Sequence, residues 1–156
     1  MNEEATIPKA RIEHWKTAPD TMKAMIALEG AVRSSGIDPK LYELIKLRAS
    51  QINGCAYCMD MHFNDLLKGG ESIQRLNLLP VWQEVRHLYT PAERAVLRWT
   101  ELLTELPGGR VTDDDFAELR AHFSEEQIPQ ITLAIATINA WNRFGVGFRL
   151  PVAPLQ

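Results

Sequence analysis

The chain of 156 residues has little sulfur in thiol form, no block of basic residues and no long apolar run. Each absence removes a class of function. Cys55 and Cys58 are the only cysteines, so there is no disulfide framework of the kind that staples small secreted domains. Lys and Arg number 17 against 20 Asp and Glu, and a net charge of −3 leaves no electrostatic footprint for nucleic acid. The longest apolar stretch, Ile131 to Trp141, contains Asn139 and is too short to cross a bilayer. The amino-terminal MNEEATIPKARIEHWK is acidic, then mixed, without the apolar centre of a secretory signal. These features predict a soluble, cytoplasmic protein with neither a nucleic acid nor a membrane as partner.

Alternating strand patterns are missing too, and what remains is a succession of helical signals. TAPDTMKAMIALEGAVRSSG carries apolar residues at Met22, Met25, Ile26 and Leu28 and stops at Gly36. In DPKLYELIKLRASQING, Asp38 is placed to cap, Pro39 suits the first helical position and Gly54 ends the run. The next helix is expected from Cys55 or Ala56 to Gly69, then a short one over 72–78. Thr90, Pro91 and Glu93 form a capping-box signature. Thr112 opens another helix. Ser124 and Gln127 open the last, expected to run to about Phe144 before Gly145 and Gly147. With 46% apolar residues there is material for a real core. The expected architecture is all-α, a single-domain bundle of roughly six to eight helices.

The chemistry gathers in GCAYCMDMH, Gly54 to His62. Both thiols sit where one helix ends and the next begins. Unpaired N–H groups and the macrodipole favour an anion there, so at least one thiol is expected to ionise easily. A spacing of three within one turn lets the sulfurs meet as a disulfide. His62 follows Cys58 by four residues and Cys55 by seven, on roughly one helical face, and imidazole can take a thiol proton. The helical hairpin brings Glu43 back past this segment, where a carboxylate could orient His62 or accept the proton. Two other readings stand beside this one: a pair of buried small residues, or a zinc site from Cys55, Cys58, His62 and Glu43. His14, His87 and His122 have no comparable neighbours in sequence and read as structural or surface. Trp15, Trp82, Trp99 and Trp141 read as core or subunit contacts. A pocket of Tyr57, Phe63, Trp141 and Phe144 is conceivable, and Asn139, Asn142 and Arg143 find no assignment.

The run E-x11-C-x-x-C-x3-H, here Glu43, Cys55, Cys58 and His62, resembles the alkyl hydroperoxidase D-like branch of the carboxymuconolactone decarboxylase superfamily. LYELIKLRASQINGCAYCMDMHFNDLLKGGES, TPAERAVLRWTELLTEL and ATINAWNRFGVGFR share the family's look, over a core of about residues 15–150 within one domain spanning 1–156. The resemblance implies an all-α fold that assembles into homo-oligomers, often trimers or hexamers. It implies a thiol-dependent peroxidase that needs no metal or other cofactor. Cys58 would be the peroxidatic thiol, buried near Glu43 and His62, and Cys55 the more accessible resolving thiol. A proton relay would run from Cys58 through His62 to Glu43. The partners would be a small hydroperoxide and an external dithiol or thiol-protein reductant. The best-known members carry a histidine directly before the second cysteine, where this chain has Tyr57, a hydrogen-bond donor but a poor base at neutral pH. A protein disulfide oxidoreductase or adaptor, or a redox-sensing oligomer without enzymatic activity, would use the same pair.

Overall fold

The helix that carries Glu43 is fixed at both ends by its own sequence. Asp38 Oδ1 accepts the Leu41 N–H at 2.9 Å, and Pro39 occupies the first turn. At the other end Gly54 takes the left-handed conformation with φ 66°, which costs a residue with a Cβ appreciable strain. The Gly54 N–H donates to Gln51 O and the Cys55 N–H to Ser50 O, a Schellman closure. Cys55 then caps the following helix, its Sγ accepting the Cys58 N–H at 3.4 Å. The chain thus reverses at Gly54, and the first thiol belongs to the caps of both helices.

The computed structural model describes residues 6–154, which form eight α-helices and no strand. In chain order they are α1 (His14–Thr17), α2 (Pro19–Arg33), α3 (Pro39–Asn53), α4 (Ala56–Lys68), α5 (Ile73–Leu78), α6 (Pro91–Thr104), α7 (Asp113–Arg120) and α8 (Gln127–Gly147). Short 3₁₀ turns at Leu79–Val81 and Arg86–Leu88 lie between α5 and α6. The expected capping box forms on α6, with Thr90 and Glu93 bonded reciprocally. Ser124 and Gln127 make the same exchange at the entrance to α8.

α3 is the central element, packing on α4, α6 and α8. Its Tyr42 and Ile45 join one core with Val96, Leu119, Ile131 and Ile135, while Leu44 and Leu47 join another with Leu66, Leu79, Trp82 and Leu97. A third, small core holds Ala49, Cys55, Cys58 and Ile138, with Trp141 against it. Burial of these side chains stabilises by roughly 1.5–3 kcal/mol each. Among the described residues no helix is long and apolar enough to cross a membrane.

Two sequence expectations need correction. α8 does not stop near Phe144 but continues through Gly145 to Gly147. Gly145 is a helical residue there, small because of what lies beside it rather than because the chain turns. Trp82 and Trp99 pack as expected, donating from Nε1 to Glu101 and Thr132 respectively, but Trp15 on α1 is 51% exposed, so of its two expected roles, core or subunit contact, the core role is excluded.

Candidate active site

Both thiols are reduced and buried where α3, α4 and α8 meet, Cys55 at 1% exposure and Cys58 at 3%. The expectation of a more accessible Cys55 is therefore wrong. Its capping position turns the sulfur inward, against α8, where a Cβ placed on Gly145 would stand 2.5 Å from Cys55 Sγ and 3.4 Å from Cys58 Sγ. α8 also brings Asn142, whose Nδ2 donates to Ser50 Oγ at 3.0 Å and whose Oδ1 accepts from Asn53 at 2.8 Å. These bonds lock the end of α3 to α8 beside the sulfurs.

The thiols share one easily lost proton. The Cys58 thiol donates to Cys55 and holds its ionisation at about 7 against burial; the Cys58 and Tyr57 backbone and the Asn142 amide assist. Cys58 is pushed well above the ordinary thiol range, because its proton is committed to Cys55, because it is buried and because it faces the Cys55 charge; Asn142 and Lys46 pull weakly the other way. The first negative charge of the pair rests on the helix cap.

Glu43 and His62 come together as the hairpin predicted, with His62 Nδ1 2.7 Å from Glu43 Oε2. Burial raises the Glu43 carboxyl, but His62, Lys46 and Arg33 outweigh it and hold the group below its usual range. Arg33 Nη2 stands 3.9 Å from Glu43 Oε1. No hydrogen bond joins either sulfur to His62 among the described residues. The four-ligand zinc set is not assembled either: the one metal-compatible grouping among the described residues is Glu43, His62 and Asp65, with ligand atoms within 4.8 Å, and it leaves both sulfurs out.

A cavity of about 240 Å³ opens over Cys58 and His62 but not over Cys55. Tyr57, Trp141 and Phe144 line it, as conceived from sequence; Phe63 does not, and packs instead against the core under α4 and α5. His14, expected to be structural or surface, lines the cavity too and is buried among Trp15, Phe144 and Phe148. His87 and His122 lie outside it. The cavity wall also holds an ion cluster that sequence reading missed. Glu29 on α2 accepts from Lys46, Tyr42, Arg33 and Trp141, and Lys46 is only 2% exposed. Burial works against the Glu29 charge, yet its Lys46, Tyr42 and Trp141 bonds hold the carboxyl below its usual range. The spacing of Glu29 from Lys46, 17 residues apart on two helices, carried no sequence signal.

Residues 19–102 match the model of the carboxymuconolactone decarboxylase family. The uncharacterized protein YdfG of Bacillus subtilis is 41% identical over 136 residues, 87% of this chain and 92% of that protein. A solved structure from Agrobacterium tumefaciens, a protein of unknown function suggested to be the antioxidant defence protein AhpD, superposes with a TM-score of 0.90 at 48% identity, covering 95% of this chain and all of that one. Alkyl hydroperoxide reductase AhpD of Coxiella burnetii is 49% identical over 41 residues, only 26% of this chain and 23% of that enzyme. The all-helical frame, the buried thiol pair beside Glu43 and His62, and these matches place the chain in the AhpD-like branch of the carboxymuconolactone decarboxylase family.

Proposed function

We propose that this protein is a thiol-dependent peroxidase in which Cys58 is the peroxidatic thiol, Cys55 the resolving thiol, and His62 with Glu43 the proton relay. One observation carries the reading. Cys58 lines a cavity in the same wall as His62, and Cys55 lies behind it, out of reach of anything that enters. A small peroxide therefore meets Cys58 first.

In the reaction, the thiol pair gives one proton through a cavity water to the His62–Glu43 pair, the remaining proton shifts from Cys58 to Cys55, and the Cys58 sulfur attacks the terminal oxygen of the hydroperoxide. The O–O bond breaks, Cys58 becomes a sulfenic acid, and the relay returns the proton to the departing alkoxide, which leaves as the alcohol. Cys55 sulfur then attacks the sulfenic sulfur, expelling water and forming the disulfide. An external dithiol, narrow enough to use the same cavity, reduces the disulfide and is itself oxidised. A protein disulfide oxidoreductase would have to bring its partner's thiol into the cavity to reach Cys58, since Cys55 does not line it. Tyr57, in the cavity wall, can donate a hydrogen bond to the peroxide but is not needed as a base.

Single-turnover mass spectrometry of the reduced protein with a hydroperoxide tests this. Cys58→Ser is expected to consume no peroxide. Cys55→Ser is expected to consume one equivalent and stop at a sulfenic acid that dimedone traps. Wild-type turnover by Cys58→Ser refutes the assignment.

A further inference from the structure

We propose that the cavity over Cys58 is an aromatic-ring site, and that the substrate taken there is a neutral aryl-substituted hydroperoxide rather than hydrogen peroxide or a small aliphatic one. The proposal rests on the peroxidase reading for its reactive group, but the ring site is a claim about binding.

The walls carry it. Trp15 and Trp141 face each other with centroids 6.2 Å apart and planes 25° apart. Phe144 tilts against Trp141 at 6.2 Å, and His14 against Phe144 at 5.8 Å. Ring faces and edges at these separations favour a further ring over a flexible alkyl chain. Trp15 is held at the surface although half its area is exposed, which a purely structural tryptophan rarely is.

Charge and size narrow the ligand. Lys46 and Arg33 line the cavity together with Asp65 and with Glu29, which pairs with both cations, so among the described lining residues the cations are balanced by carboxylates and a neutral ligand is favoured. A volume of about 240 Å³ accommodates one ring with a short substituent. Cys58, His62 and the rings line one cavity, with Trp141 packed against the thiol cluster, so a phenyl group seated against the rings leaves the hydroperoxide within the same cavity as the thiol.

Two matched pairs test it. Cumene hydroperoxide and tert-butyl hydroperoxide differ only by phenyl for methyl, as do their alcohol products, 2-phenyl-2-propanol and tert-butanol. The phenyl alcohol is expected to quench tryptophan fluorescence with a Kd of about 1 mM or below, and tert-butanol is expected to leave the fluorescence unchanged. The kcat/KM ratio of the phenyl to the methyl peroxide is expected to be about tenfold or more, and to fall by about that factor in Trp15→Ala. Trp15→Phe should keep most of the preference. If the phenyl alcohol binds but neither peroxide is reduced, the ring site stands and the peroxidase reading fails. If both peroxides are reduced equally well and neither alcohol binds, the ring site is refuted and the peroxidase stands.

Discussion

Gly145→Ala is the sharpest perturbation of the thiol site, because the backbone itself would accept it. Gly145 is helical, and its φ is not among the positive ones. In an open helix the change would stabilise by about 1 kcal/mol. Here the new Cβ would lie 2.5 Å from Cys55 Sγ, where ordinary contact begins at 3.4 Å, so the sulfur or α8 must retreat. Overpacking of this kind costs about 1–3 kcal/mol. The two terms oppose, and the net loss is about 0–2 kcal/mol, so a single stability value discriminates poorly. A double-mutant cycle separates them. Urea denaturation of the reduced protein should show Gly145→Ala destabilising in the wild-type background and stabilising in Cys55→Ala, with a coupling of about 1–3 kcal/mol. The retreating sulfur also leaves the Cys58 thiol, so thiol ionisation should rise from about 7 in the Gly145→Ala protein. Equal effects of Gly145→Ala in both backgrounds, with unchanged ionisation, would falsify the contact as the reason for glycine.

The other predictions concern charge and helix. Thiolate ultraviolet absorbance should rise in one step at about 7 with the amplitude of a single thiolate, and Cys58→Ala should move that step upward by removing the largest lowering contact; two thiolates appearing together would refute the shared proton. Glu29→Gln leaves buried Lys46 without its carboxylate and should cost about 3 kcal/mol by denaturation; a variant as stable as wild type would mean that the cluster is solvated. Glu29 and Glu43 titrate below 4.5 when folded, so the unfolded chain binds more protons in that window. Their stabilisation is complete above 4.5 and should be lost as pH falls through the lower folded values, with a shallower acid slope in Glu29→Gln. Gly30→Ala, exposed within α2 with nothing within 4 Å of the added methyl, should raise stability by about 0.5–1 kcal/mol.

What the sequence disclosed was mostly local. Asp38, Pro39 and Gly54 announce both ends of α3, and the same glycine forces the reversal that carries Glu43 to His62. Thr90 with Glu93 is legible for the same reason: the partners in a cap are three residues apart. What stayed hidden depends on a third helix. Nothing near Cys55 says that α8 will cover it, so its burial was misjudged, and Gly145 read as a helix stop although it is a point of close approach. Glu29 carries no local signal of its role, because its partners Lys46, Tyr42 and Trp141 come from α3 and α8. His14 likewise gains its surroundings from Phe144 and Phe148, more than a hundred residues away.

The position of Cys55 at the head of α4 bears on the reduction potential of the pair. A thiolate there is held by the Cys58 backbone N–H and by the positive end of the helix, while a disulfide, being neutral, gains little from either. With that thiol ionising at about 7 rather than far below neutrality, the gain to the dithiol near neutral pH is small, and the pair stands nearer a thioredoxin-like couple than a strongly oxidising one. A reductant for a Cys55–Cys58 disulfide would then need a comparably low potential as well as access to Cys58 through the cavity.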